Sequence, residues 1–163
     1  MARLRVRAED GVSKAAPFHP SPMDYEDWQR GVSGHIRNDP LWSLRVYRMA
    51  LFAGERGRID AESLEARGSY RTLAEQLRRA TESISANITE GFSRLRPRER
   101  AHFFEYALGS AREARDWYFK ARGGLGEVET ESRLDQLGHI IRILTALIKR
   151  ARSGPAAKAE GTS

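Results

Sequence analysis

A chain of 163 residues is the size of one domain, and its excess of Lys and Arg over Asp and Glu gives a formal charge of +6. It has no cysteine, which excludes a disulfide framework, a thiolate metal site and a cysteine nucleophile. No apolar run reaches the ~20 residues that span a bilayer, and no apolar stretch follows the basic start MARLRVRAEDG to make it a secretory signal, so the expected location is the cytoplasm, with no membrane partner.

Residues 1–22 hold Gly11, Pro17, Pro20 and Pro22 without lasting periodicity and read as a disordered arm. Residues 154–163, GPAAKAEGTS, read as a disordered tail. Between them, 23–153 read as one helical domain. A short amphipathic segment over Asp24–Ile36 puts Tyr25, Trp28 and Val32 on one face. Asn38-Asp39-Pro40 then offers a cap with proline in the first turn, opening a first bundle helix over Pro40–Glu55. Two apolar stripes run along that helix, Leu41, Leu44, Tyr47 and Leu51 on one side and Trp42, Val46, Met49 and Ala53 on another. Two apolar faces need two partners, one of which would be a neighbouring subunit.

A second helix is expected over Ser69–Gly91, with Leu73, Leu77, Ala80, Ile84, Ile88 and Gly91 at helical spacing. The connection SRLRP is short enough that the next helix must turn back antiparallel. That third helix, Pro97–Arg122, carries Phe104, Ala107, Leu108, Ala111, Ala114 and Tyr118 on one stripe, and Gly123-Gly124 reads as its stop. A fourth, Thr130–Arg152, places Leu134, Leu137, Ile141, Leu144 and Ile148 on a core-facing seam. The predicted fold is an all-α, antiparallel up-down four-helix bundle with a short extra N-terminal helical segment and disordered ends.

The run from Gln76 to Ala80, then Ser83-Ile84-Ser85-Ala86-Asn87-Ile88-Thr89-Glu90-Gly91, Arg94, Phe103-Phe104-Glu105-Tyr106-Ala107-Leu108-Gly109-Ser110 and Glu113, resembles the four-helix bundle proteins. That family includes proteins encoded in intervening sequences of bacterial 23S ribosomal RNA genes and the accessory variability protein of diversity-generating retroelements. The similarity spans Asp39–Arg152 and is densest over Gln76–Glu113. The resemblance implies assembly as a homopentamer. In the retroelement branch it also implies binding to a reverse transcriptase and to nucleic acid through a basic surface. It implies no catalysis. The chain departs from the family between its first two helices, where ERGRIDAESLEARGSYR stands in place of a common phenylalanine-proline turn.

Gln76, Ser83, Asn87 and Glu90 form a polar seam beside the apolar stripe of the second helix, and Ser110 and Glu113 of the third are placed to face it. Buried polar groups left unpaired cost about 1–3 kcal/mol each, so a reciprocal network that sets helix register is the expected role. Catalytic chemistry finds little footing. A di-iron site in a bundle needs two Glu-x-x-His motifs, and the chain offers one, Glu99 to His102, with Gln136 standing before His139 at the matching place. No metal or cofactor is expected. Gly123-Gly124-Leu125-Gly126 follows a helix rather than a strand, so it is not a phosphate loop.

The candidate nucleic-acid contacts are two basic groups. Arg94, Arg96, Arg98 and Arg100 alternate across the turn into the third helix, and Arg142, Lys149, Arg150 and Arg152 decorate the fourth toward its end. The same residues also suit a solvated face whose arginines compensate helix dipoles. The expected function is a non-enzymatic, homo-oligomeric accessory protein binding RNA or an RNA–DNA intermediate together with a reverse transcriptase. The alternative is a structural module whose partner is protein alone.

Overall fold

The computed structural model describes residues 24–153, which fold as helices α1 (Tyr25–Gly31), α2 (Gly34–Arg37), a 3₁₀ turn (Pro40–Ser43), α3 (Arg45–Glu65), α4 (Arg71–Phe92), α5 (Pro97–Leu125) and α6 (Glu127–Arg152). The arm and tail expected at 1–22 and 154–163 lie outside the described residues. Helices α3 to α6 make the bundle. Each packs on the next, and α3 closes against α6 over a smaller contact. The core runs through Ala50, Leu64, Leu77, Ile84, Ala107, Tyr118, Leu137 and Leu144.

Two helices run past the ends expected from the sequence, and each carries a glycine where it meets another helix. The first bundle helix does not end at Glu55. It continues to Glu65, because Gly57, Ala61 and Leu64 carry its buried stripe onward. On its outer face Arg58 bonds Glu55 and Glu62 at 2.7 and 2.6 Å, pairs one turn apart that support a helix. Gly57 is where α3 meets α4: a Cβ there would stand 2.2 Å from Thr81 Oγ1 and 2.8 Å from its Cβ. Likewise Gly123-Gly124 does not stop α5. A Cβ on Gly124 would lie 2.5 Å from Leu64 Cδ2, so this glycine lets α5 approach the end of α3. The stops are Gly68 (φ 70°) and Gly126 (φ 97°), in the left-handed region that favours glycine. Pro97 opens α5 at its first turn, where a missing N–H costs nothing.

The amphipathic N-terminal segment is two short helices, capped by the side chains of Asp24 and Ser33. Tyr25 and Trp28 pack on Phe52 of α3, each with ring centroids 5.2 Å apart, and Trp28 lies 6.3 Å from Trp42. This strap changes the argument for a second subunit. Both stripes of the first bundle helix are largely covered within one chain: Leu41, Val46, Tyr47, Met49 and Ala53 are buried, while Trp42, Leu44 and Leu51 are half-buried. The second apolar face therefore gives no independent reason for an oligomer.

Candidate nucleic-acid interface

The antiparallel pairing of α5 and α6 sets the beginning of one helix beside the end of the other. That topology joins the two basic groups. Arg98, His102 and Glu105 of α5 line a hollow together with Arg152 of α6, and Arg152 is ion-paired with Glu105. An adjoining hollow is lined by Arg94, Arg98, Glu99, His102 and Phe103, so Arg98 and His102 border both.

The eight predicted contacts are not equivalent. Arg96 is 83% exposed, with Glu99 3.5 Å away. Arg98, Arg142, Lys149 and Arg150 are exposed and make no ion pair among the described residues. Arg94 is tied to Glu90 and lies 4.8 Å over the Phe103 ring. Arg100 turns inward. Its Nη2 donates to the Arg94 carbonyl at 2.9 Å, so this guanidinium braces the α4–α5 connection rather than facing solvent. Arg142 stands ten residues before Arg152, about 15 Å along the helix at 1.5 Å per residue, and lines neither hollow. The sign of this end of the bundle is set by arginines that outnumber Glu90, Glu99 and Glu105.

Among these cations lie aromatic rings that the charge pattern alone does not reveal. Tyr106, 52% exposed, lies 4.5 Å from His102 and 6.0 Å from Phe103 between ring centroids. A signal existed in the sequence, since His102, Phe103 and Tyr106 fall three and four residues apart on a helix that starts with arginines.

The polar seam is shorter than expected. Ser83 and Ser110 hydroxyls meet at 3.0 Å across α4 and α5, and Asn87 Nδ2 donates to Ser83 Oγ at 3.0 Å and to its carbonyl at 2.9 Å. The link between helices is thus serine to serine, with Asn87 bracing it from within α4. Gln76 makes no bond to the others, Glu90 faces out to Arg94, and Glu113 accepts from Trp117 Nε1 at 3.3 Å. Glu90 and Glu113 stand apart because they are exposed, whereas Gln76 is half-buried and lies two turns before Ser83 on α4.

The larger polar feature of the interior is one that periodicity misses. Asp60 of α3 accepts from Arg133 Nε at 2.7 Å and Nη2 at 3.1 Å, and from the Tyr118 hydroxyl at 2.9 Å, tying α3, α5 and α6 together. Burial, aided by the charge of Asp60, pushes the Tyr118 phenol well above its ordinary pKa. Burial alone would lower that of Arg133, but the bonds to Asp60 outweigh it and the guanidinium is held more firmly charged. All three groups are buried and bonded to one another, none lines either hollow, and their arrangement is a structural clasp. Glu99 and His102 sit on the surface of α5, and His139 lies on α6 against the Asp135 carbonyl at 3.1 Å. Among the described residues no three His, Asp or Glu side chains gather as a metal ion would need, and no helix is long and apolar enough to cross a membrane.

A family model described as 23S rRNA-intervening sequence protein matches residues 56–146, more than half of the chain. A solved structure from Bacteroides thetaiotaomicron, described as a protein of unknown function from the S23 ribosomal protein family, is 22% identical. It superposes with a TM-score of 0.61 over 64% of this chain and 98% of that one, which shows a shared fold. Comparison with curated proteins gives no match.

Proposed function

From the premise that this chain belongs to the 23S rRNA-intervening sequence protein family, we propose that it is a non-enzymatic accessory protein that holds nucleic acid, RNA or an RNA–DNA intermediate, against the basic end of its bundle. The observation that supports this reading is the meeting of two cationic groups far apart in sequence, Arg94 of the α4–α5 connection with Arg98 at the start of α5, and Arg152 at the end of α6, around adjoining hollows. Guanidinium groups fork onto phosphate oxygens with two donors each. Exposed cations without an internal carboxylate, such as Arg98, Lys149 and Arg150, are free to do so. Assembly into a homo-oligomer, five copies by the family resemblance, would repeat the basic end around a ring. Linked weak sites then bind about 10²–10⁴-fold more tightly than one alone. A reverse transcriptase is the protein partner that the retroelement branch would supply.

The test is fluorescence anisotropy with a labelled structured RNA at ~50 mM salt, where phosphate contacts are strongest, beside light scattering on the same sample. The expected result is RNA retention by a particle several times the 18.4 kDa chain mass. Replacing Arg96, Arg98 and Arg152 by Gln should weaken retention with helix content unchanged; Arg100 is left in place because it braces the connection. A wild-type protein that retains neither RNA nor DNA would overturn the reading in favour of a scaffold whose partner is protein alone.

A further inference from the structure

A basic surface by itself holds any phosphodiester backbone, paired or unpaired. The end of this bundle carries something more: a row of rings set between its cations. The Arg94 guanidinium covers Phe103; Phe103 meets Tyr106 edge-on at 73°; Tyr106 lies tilted at 60° beside His102; and His102 borders the hollow that Arg98 and Arg152 line. Tyr106 is the exposed member. The four other tyrosines are buried or half-buried, whereas half of this one meets solvent, and its hydroxyl bonds no other described residue. Phe103 and His102, both one turn back along α5, pack against the ring, so it has less motional freedom to lose when a flat group lies on its exposed part.

We infer that this row is a stacking platform for unpaired bases, so that the basic end takes single-stranded nucleic acid in preference to a full duplex. The inference rests on the nucleic-acid reading above and names the form of that ligand. In a duplex each base is covered above and below by its neighbours, and only backbone and groove edges meet a protein. In a single strand a base can be splayed onto an aromatic ring. Arg98 and Arg152 hold the backbone beside His102, with Glu105 fixing the position of Arg152, while a base from the same strand covers Tyr106. Because every base has a π-face, such a platform tolerates sequence.

The experiment uses the full chain and three labelled probes of about 20 nucleotides, longer than the 4–16 that compact single-strand sites cover. One is an RNA of mixed sequence without self-complementarity, one is its perfect duplex, and one is an abasic strand of equal length and charge. Stacking one base on an aromatic side chain changes affinity roughly 5- to 150-fold, so the base-bearing strand should exceed the abasic strand by that factor. Tyr106→Ala should remove the difference while leaving the abasic and duplex probes bound as before, and Tyr106→Trp should preserve it. Equal binding of base-bearing and abasic strands, or an unchanged preference in Tyr106→Ala, would overturn the platform and leave the polyanion reading standing. No binding of any probe would overturn both.

Discussion

Replacing Asp60 by Ala should be among the most damaging single changes in the bundle. Its two carboxylate oxygens accept three bonds, two from Arg133 and one from Tyr118, and the side chains of the ion pair are each only 10% exposed. Without Asp60 the Arg133 charge stays buried with no counterion. The half-buried guanidinium of Arg56, whose pKa is already lowered by burial and then by the charge of Arg133, repels it further. Breaking a buried pair from one side costs about 3–5 kcal/mol, a large share of the ~5–15 kcal/mol that holds a domain folded. At about 2–4 °C per kcal/mol for a chain of this size, the melting temperature should fall by roughly 6–20 °C, read by circular dichroism at the helix band. Removing the clasp as a unit, with Asp60→Leu, Arg133→Met and Tyr118→Phe together, should recover most of that loss, since apolar groups of similar volume often replace a buried ion pair without penalty. A melting temperature within about 2 °C of wild type for Asp60→Ala, under ~1 kcal/mol on the same scale, would refute the clasp.

Tyr118→Phe isolates the proton of the clasp. The folded pKa of Tyr118 is raised above its unfolded value, so its stabilising share is complete below about pH 10 and is lost as pH rises beyond that, when the unfolded chain sheds a proton the folded chain keeps. Denaturant melts from neutral to strongly alkaline pH should show wild type more stable at the low end and the two proteins converging above about pH 10; parallel curves would contradict this. Gly57→Ala should destabilise by about 1–3 kcal/mol through overpacking against Thr81, despite alanine's better helix propensity, whereas Gly109→Ala, with nothing within 4 Å of the added Cβ, should stabilise by about 0.5–1 kcal/mol. Thermal melts of the two variants should move in opposite directions. In the polar seam, Ser110→Ala and Asn87→Ala should each cost about 0.5–1.5 kcal/mol, while Gln76→Ala and Glu113→Ala should stay within about 0.5 kcal/mol of wild type, compared by denaturant midpoints.

Helical spacing in the second, third and fourth bundle helices names most of their buried faces, such as Leu77, Ile84 and Ile88 on α4 and Leu137, Leu144 and Ile148 on α6. On α6, however, Leu134 and Ile141 of the expected seam are half-buried and the fully buried Ile140 falls outside it. The short SRLRP connection likewise dictates antiparallel return. What misleads is glycine. Gly123-Gly124 reads locally as a stop, yet Gly124 is needed for close approach to Leu64, far along the chain, as Gly57 is for approach to Thr81. The clasp is invisible to local pattern because its members lie 58 and 73 residues apart. Its trace in the sequence is Asp60 and Arg133 occupying positions in otherwise apolar stripes, beside Ala61 and Leu64 on α3 and Leu137 on α6. In the candidate interface the basic residues are plain from composition, and the antiparallel topology implies that they converge. Which of them face out is decided by side-chain geometry, as with Arg100 turning in to the Arg94 carbonyl.

The claim that one end of the bundle is the nucleic-acid face is tested most directly by the salt dependence of binding. Each phosphate contact on a single strand contributes about 0.7 to the slope of log affinity against log salt. Replacing Arg98 and Arg152 by Gln should therefore lower the slope by roughly 1.4 and weaken binding throughout the range. The control replaces Arg67 and Arg71 by Gln; both are exposed, Arg67 in the α3–α4 connection and Arg71 opening α4, which is 22 residues long, so its other end is about 33 Å away at 1.5 Å per residue. The account predicts that the control keeps the wild-type slope. Equal flattening by the two pairs would mean that nucleic acid responds to net charge alone, and would contradict an interface at the junction of α5 and α6.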